Sequence, residues 1–178
     1  LRRIEALNRE LPAGQRIRAV SLSTGGFERW PGYEELQAAI EDLDRQGVLV
    51  VTCARDRIPY GMLTLPAGGD PDRAEDWRAG RYVFEDDVLR VPCGGRVLAS
   101  HHGDEVYWRD PDGGMSWGAP YLAGLAALAF QVAPDLTPAT VVDLLVATAT
   151  LTDAGPVVAP RAFLAAVGKR VGDRASGR

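Results

Sequence analysis

The residues whose types and spacing best suit chemistry are a serine and the glycines before it. Ser116 follows Gly113, Gly114 and Met115 and leads into a run of Ala, Gly and Leu. A glycine turn that enters a small-residue apolar helix would place the Ser116 hydroxyl in the first helical turn. Backbone N–H groups there lack intrahelical acceptors and lie at the positive end of the helix dipole, so they stabilise a developing anion. The pattern favours a nucleophilic serine; a buried helix with a merely capping serine is the alternative.

The same stretch carries a resemblance to a known family. Residues 114–124 resemble the serine motif of the subtilisin-like proteases (subtilases), Gly-Thr-Ser-Met-Ala-Ala-Pro-His-Val-Ala-Gly. Six positions are identical: Gly114, Ser116, Ala119, Pro120, Ala123 and Gly124. Five positions differ: Met115, Trp117, Gly118, Tyr121 and Leu122. By this resemblance the chain is identified as the C-terminal part of a subtilase catalytic domain, a serine endopeptidase that forms an acyl-enzyme on Ser116.

A strand-like run before residue 26 resembles the edge of the subtilase substrate groove. The stretch Val-Ser-Leu-Ser-Thr-Gly-Gly from Val20 resembles the family's strand ending in Ser-Leu-Gly-Gly. In the family, that backbone pairs with the substrate as an added strand. The resemblance implies that Ser23, Thr24 and Gly25 bind substrate here. A plain strand-to-loop turn is the alternative.

A second strand-like run, residues 47–56, resembles the strand that carries the family's oxyanion asparagine. The resemblance puts Asp56 in the asparagine position and Cys53, Ala54 and Arg55 in the far wall of the pocket. An ionised carboxylate has no proton to donate, and in subtilisin the loss of this donor costs roughly 10²–10³ in turnover. A protonated Asp56 could still donate, whereas an Arg55–Asp56 pair would keep it ionised. Arg55 could also narrow the pocket or favour an acidic substrate residue.

A serine nucleophile needs a base and a group that orients the base. The only histidines, His101 and His102, lie in no family motif, and we expect both to face solvent in a loop. A triad of His102 with Asp104 or Asp110 is a weaker alternative. A metal cluster of His101, His102, Asp104 and Glu105 is equally weak, because no spacing fixes its geometry.

Subtilases carry their Asp and His before the serine in the chain. This chain begins at Leu1 within a helical pattern, so we expect a piece of a longer polypeptide. Its expected partners are a peptide or protein substrate and the N-terminal fragment of the same protease domain, which would carry the Asp and His. The alternative function is a catalytically impaired, subtilase-like pseudoprotease that acts as a binding or regulatory scaffold. An unrelated α/β binding domain is a third possibility.

Composition excludes several classes. The net charge of −4 and the scattered Lys and Arg argue against a nucleic-acid partner, and no apolar run reaches the length of a membrane span. Cys53 and Cys93, the only cysteines, exclude a disulfide scaffold and are interpreted as buried thiols. No cofactor is expected. One loop is acidic and contains Asp70, Asp72, Glu75 and Asp76. A structural calcium could bind there, but the loop lacks the spacing of a calcium motif, so a solvated loop is the preferred interpretation.

The elements that must position these residues follow a strand–helix–strand order. Apolar periodicity predicts a helix over 1–11, a strand over 17–22, a helix over 31–46 and a buried strand over 48–53, joined as one βαβ crossover. Residues 57–88 are predicted to be irregular, with short strands at 88–91 and 96–100 around a turn at 92–95. Helices are predicted from the serine to about 133, from the Thr137 cap to about 148, and over 160–167. The resemblance implies an α/β, subtilisin-like three-layer fold with a mostly parallel sheet flanked by helices and the N-terminal part of the domain absent. Residues 1–168 would form this portion and 169–178 a flexible tail.

Overall fold

The computed structural model describes residues 1–26 and 29–176. Within them the chain forms helices and strands in mixed order. The helices are α1 (Arg2–Glu10), α2 (Tyr33–Arg45), α3 (Met115–Val132), α4 (Pro138–Ala147) and α5 (Pro160–Ser176). The strands are β1 (Ala19–Leu22), β2 (Leu49–Thr52), β3 (Tyr60–Thr64), β4 (Arg78–Ala79), β5 (Leu89–Gly94), β6 (Arg96–Ala99), β7 (Tyr107–Asp110), β8 (Thr150–Thr152) and β9 (Gly155–Val157). Of the described helices, none is both long and apolar enough to cross a membrane.

The predicted crossover is confirmed. β1 and β2 pair in parallel, from Ala19 opposite Leu49 to Leu22 opposite Thr52, and α2 connects them. A second sheet has the strand order β4-β3-β5-β9-β8 and is mixed: β5 runs parallel to β3 and β9, while β4 and β8 are antiparallel at the two edges. β6 and β7 form a separate antiparallel hairpin.

Helices cover both faces of β2, which explains its unbroken apolar sequence. Successive side chains of a strand point to opposite faces. Leu49 and Val51 pack in the cluster that contains the buried residues of α3, whereas Val48 and Val50 pack with Ile40 and Leu43 around α2. The result is a layer of helix on each side of the sheet, so the expected layered α/β arrangement is confirmed.

The structure corrects the region predicted to be irregular. Residues 60–64 form β3, whose first four residues are buried, and β3 pairs in parallel with β5. β5 continues through Pro92, which was predicted to lie in a turn. Its pairing with β3 shifts register between Leu63 and Thr64, an irregularity that accommodates a residue without an N–H group. The turn comes only at Gly95, where φ is +73° and a Cβ would lie 2.2 Å from the Leu65 carbonyl oxygen.

The C-terminal elements also differ in extent. The Thr137 cap is confirmed, since its Oγ1 accepts a hydrogen bond from the Thr140 N–H at 3.2 Å. The hairpin strands β8 and β9 were not predicted, because three-residue strands carry too little periodicity. α5 extends to Ser176, past the predicted end at Val167 and into the predicted tail. Residues 177–178 of that tail lie outside the described residues.

Candidate active site

Ser116 lies in the first turn of α3, as predicted. The N-cap residue of α3 is Gly114, and no side chain caps the helix there. Ser116 is exposed at the surface. Gly113 before it has φ +64°, and a Cβ there would lie 2.0 Å from the Cys93 carbonyl oxygen. Only glycine fits this approach, which seats the serine turn directly on the end of β5.

Two hydrogen bonds fix Ser116 against the end of β1. The Ser116 hydroxyl donates to the Ser23 carbonyl oxygen at 3.2 Å, and the Ser23 hydroxyl donates to the Ser116 carbonyl oxygen at 3.0 Å. Pro120, four residues on, has no N–H to donate to that carbonyl. Ser23 therefore supplies the hydrogen bond that the helix cannot.

The predicted substrate-binding residues of the two strands come together beside this serine. Thr24 accepts a hydrogen bond from the Cys53 N–H at 2.9 Å, which continues the pairing of β1 with β2. Gly25 lies so close to the second strand that a Cβ would be 2.7 Å from the Cys53 carbonyl carbon and from the Ala54 nitrogen. The backbone of this corner forms one continuous wall next to Ser116. Cys53, predicted to be a buried thiol, is only half-buried, because it lies at this open corner.

Arg55 pairs with two acids other than Asp56. It is the one non-glycine residue with positive φ (+68°) in the described chain, at the position where the family motif has glycine. Its Nη2 contacts the carboxylate of Asp87 at 2.5 Å and that of Asp86 at 2.8 Å. Its guanidinium lies 4.1 Å from the centroid of the Phe84 ring. The predicted pair with Asp56 is absent from the described contacts, because the guanidinium has Asp86 and Asp87 as partners. The predicted role of Arg55 in a substrate pocket stays a prediction.

The acidic partner of Arg55 is itself shared. The Asp87 side chain is fully buried and forms a second ion pair with Arg90, which also donates to the Ala154 carbonyl oxygen at 3.1 Å. Gly61 makes room for the pair, since a Cβ there would lie 2.1 Å from Asp87 Oδ2. The loop that follows β2 is thus tied to β5 and to the β8–β9 turn. No sequence motif signalled this network.

Asp56, predicted to occupy the second oxyanion position, has an exposed carboxylate. Its Oδ2 accepts a hydrogen bond from Gln37 Nε2 of α2 at 3.5 Å. In the described part of the chain no hydrogen bond or ion pair joins Asp56 to Ser116. The arrangement therefore places a carboxylate, anchored to α2, near the end of β2, and it supplies no N–H donor there.

The two histidines lie in the exposed turn between β6 and β7. Their ring centroids are 4.0 Å apart, and neither ring has a hydrogen bond to Ser116 among the described contacts. No group of three or more His, Cys, Asp or Glu in residues 1–26 and 29–176 could hold a metal ion. In the acidic loop, the carboxylates of Asp76 and Asp70 accept hydrogen bonds from the N–H groups of Asp70 and Asp72.

A buried tyrosine that the sequence did not indicate supports the serine turn from below. The Tyr60 hydroxyl donates to the Met115 carbonyl oxygen at 3.1 Å, and burial raises its pKa well above the ordinary value. The tyrosine ring packs against Gly118, where a Cβ would lie 2.6 Å from Tyr60 Cε2. Cys93 packs at the same point, and burial raises the pKa of its thiol to about 12. The signal that could have indicated this role is the position of the tyrosine at the start of an apolar run, where its hydroxyl would need a hydrogen-bond partner.

Comparison with solved structures reveals similar folds, two of them in chains named as proteases. A protease from Pseudoalteromonas arctica PAMC 21717 matches with a TM-score of 0.61 and 20% identity over 85% of this chain and 52% of that one. MycP1 from the ESX-1 type VII secretion system matches with a TM-score of 0.54 and 19% identity, over 90% and 55%. The patellamide maturation protease PatA matches with a TM-score of 0.55 and 18% identity, over 93% and 69%. The chain thus spans about half the length of the first two of these solved chains.

Membership of the subtilase family, which the motifs indicated, is wrong as an assignment. No protein-family model matches the sequence, and no curated protein matches it. The identities of 18–20% to the solved proteases show a shared fold alone. The findings support a subtilisin-like protease fold.

Proposed function

We propose that this chain carries the nucleophile of a serine endopeptidase with subtilisin-type chemistry. Ser116 attacks the carbonyl carbon of a peptide bond as its proton passes to a base. The C–N bond then breaks, the amine leaves with that proton, and the serine oxygen becomes the ester oxygen of an acyl-enzyme. The observation that carries the proposal is the position of the Ser116 hydroxyl, exposed in the first turn of α3 and bonded to Ser23 at the end of β1.

The substrate would lie as an extended strand along the wall that Ser23, Thr24 and Gly25 form with the end of β2. A peptide paired there presents its carbonyl groups beside Ser116. The N–H groups of the first turn of α3 then face the oxygen that becomes negative in the tetrahedral intermediate. The helix dipole adds to this stabilisation.

The proton of Ser116 needs an acceptor. The hydroxyl donates to a backbone carbonyl, which is no base at neutral pH, and His101 and His102 lie in a hairpin turn without a bond to it. The proposal therefore assigns the base and its orienting acid to the N-terminal fragment of the same protease domain. Residues 1–178 alone are expected to be inactive.

The position of Asp56 favours a second candidate function. A carboxylate there donates no hydrogen bond to an oxyanion and repels it when ionised. Under this candidate the chain is a catalytically impaired scaffold that binds peptides in the same groove without useful hydrolysis. The two candidates predict the same binding and differ in the reactivity of Ser116.

A fluorophosphonate probe separates the candidates in the full natural polypeptide. We expect labelling that Ser116→Ala abolishes and that Ser100→Ala, a hydroxyl loss in the distant β6–β7 hairpin, leaves unchanged. Absence of Ser116-dependent labelling between pH 4 and 8 would contradict the protease function and leave the scaffold. Asp56→Asn should raise turnover at neutral pH by roughly 10–10³-fold, because its amide can donate to the oxyanion.

A further inference from the structure

Two parts of the candidate active site come from separate elements of the fold. Ser116 lies in the first turn of α3, and Asp56 lies in the loop that follows β2. Under the proposed function, the carbonyl group of the substrate reacts between these two parts. A misplacement of about 1 Å can lower the rate of such a reaction roughly 100-fold. The relative position of the serine turn and the Asp56 loop therefore has to be fixed by contacts between them.

The Asp56 loop leaves the sheet soon after β2 ends. The last bond that continues the sheet pairing is from the Cys53 N–H to the Thr24 carbonyl oxygen, at 2.9 Å. Arg55, directly before Asp56, then adopts a φ of +68°. A non-glycine residue rarely has this conformation and keeps it only where its surroundings hold it. The contacts of the Arg55 side chain are therefore the ones to consider as supports of the loop.

The Arg55 side chain connects the loop to the serine turn through one intermediate residue, Tyr60. Arg55 Nε donates to the Tyr60 carbonyl oxygen at 3.1 Å. The Tyr60 hydroxyl donates in turn to the carbonyl oxygen of Met115, directly before Ser116, at 3.1 Å. Tyr60 is fully buried, so water does not compete well for either bond. One residue thus contacts both parts of the candidate site, with its main chain on one side and its side chain on the other.

Asp87 fixes the direction of the Arg55 guanidinium. Its buried carboxylate accepts hydrogen bonds from Arg55 Nη2 at 2.5 Å and from the Phe84 N–H at 2.7 Å, and it also pairs with Arg90. A guanidinium carries several donors in a rigid plane, so Arg55 bonds Tyr60 and Asp87 at the same time. A lysine ammonium is a point charge without this planar set of donors. Glycine, the residue of the family motif at this position, has no side-chain donor at all.

We propose that Arg55 and Tyr60 are positioning residues that hold the Asp56 loop and the serine turn in a fixed relative position, with Asp87 orienting Arg55. The catalytic consequence rests on the proposed function. Both residues act through the backbone on either side, because Arg55 immediately precedes Asp56 and Tyr60 bonds the residue before Ser116. Loss of either hydrogen bond should lower kcat and leave KM nearly unchanged, since the wall of the groove that binds the substrate backbone is intact.

Arg55→Lys and Tyr60→Phe test the proposal in the full natural polypeptide. Arg55→Lys keeps the charge, and Tyr60→Phe keeps both the ring and the carbonyl group that Arg55 uses. Each variant should lower kcat roughly fivefold or more, with KM within about twofold of the natural value. Arg57→Ala is the matched control, because it removes an ion pair with Asp44 at 2.7 Å from the same loop and should change neither constant. An unchanged kcat in Arg55→Lys or Tyr60→Phe, or an equal loss in Arg57→Ala, would overturn the proposal.

Hydrogen exchange tests the connection without any catalysis. The Trp117 N–H of the serine turn donates to the Gly114 carbonyl oxygen at 3.0 Å, and the Phe163 N–H of α5, which donates to the Ala159 carbonyl oxygen at 2.9 Å, is the internal reference. Arg55→Lys should speed exchange at Trp117 roughly fivefold or more relative to Phe163. Tyr60→Phe should have the same effect. The double variant should exchange little faster than Tyr60→Phe, because the connection is already broken.

The exchange measurement has its own contradicting results. Unchanged exchange at Trp117 in Arg55→Lys would refute the coupling, and additive effects in the double variant would show that Tyr60 is not the link. Fluorophosphonate labelling of Ser116 is read separately. Coupled exchange without labelling refutes the catalytic function alone, and labelling with uncoupled exchange refutes the positioning role alone.

Discussion

Ser23 and Ser116, 93 residues apart, exchange two hydrogen bonds: each hydroxyl donates to the carbonyl oxygen of the other residue, at 3.0 and 3.2 Å. This reciprocal pair joins the end of β1 to the first turn of α3. It sets the angle between the wall of the groove and the candidate nucleophile. Pro120 explains the first of these bonds, because the Ser116 carbonyl has no N–H four residues on and accepts from the Ser23 hydroxyl instead.

Ser23→Ala should lower the free energy of unfolding by about 1 kcal/mol, since one hydrogen bond is lost and a carbonyl oxygen remains without a protein donor. Urea unfolding measures the change. Pro120→Ala restores the N–H of the helix, so the cost of Ser23→Ala should shrink in that background. Additive effects in this double-mutant cycle would contradict the role assigned to Pro120.

Asp87→Asn should destabilise the chain by about 3–5 kcal/mol, because Arg55 and Arg90 then share a buried site without their carboxylate. Denaturant unfolding is the measurement. Asp86→Asn is the matched control: it also contacts Arg55, but its side chain is 71% exposed, and little change is expected. An equal loss of unfolding free energy in the two variants would show that the burial of Asp87 does not determine its contribution to stability.

Two glycines of α3 should respond to alanine in opposite directions. Gly118→Ala puts a Cβ 2.6 Å from the Tyr60 ring and should cost about 1–3 kcal/mol through overpacking. Gly124→Ala meets open space and should stabilise the helix by about 0.5–1 kcal/mol. Thermal unfolding distinguishes them. A stabilising Gly118→Ala would mean that α3 does not pack this closely on β3.

Cys53 and Cys93 should differ in reactivity toward iodoacetamide at pH 8. The pKa of Cys93 is raised to about 12 by burial, so only roughly one thiol in ten thousand is ionised at that pH. Mass spectrometry should show modification at Cys53 in the folded chain and at both residues in guanidinium chloride. In a Cys53→Ala variant the folded chain should stay unlabelled. Rapid labelling of that variant would refute the burial of Cys93.

Local signals in the sequence were sufficient for the elements with strong periodicity. The βαβ crossover, the serine helix and the Thr137 cap follow from apolar spacing and turn residues alone. The position of Ser116 in the first turn of α3 belongs to this group, because a glycine turn and a small-residue helix are adjacent in the chain. The continuous apolar run of β2 predicted a strand buried on both faces, whereas the layered α/β fold as a whole was implied by the family resemblance.

The tertiary structure alone decided what depends on partners distant in sequence. β3, and the continuation of β5 through Pro92, form because the two strands pair with each other. The glycine in β3 and the proline in β5 interrupt the apolar pattern that would have predicted a strand. Arg55 pairs with the buried Asp87 and not with Asp56, because a fully desolvated carboxylate must be paired with nearby cations. The contacts of Asp56 with Gln37 and of Ser23 with Ser116 also join residues distant in sequence. The sequence determines which chemical groups each residue carries, whereas the packing of the layers determines which of those groups come into contact.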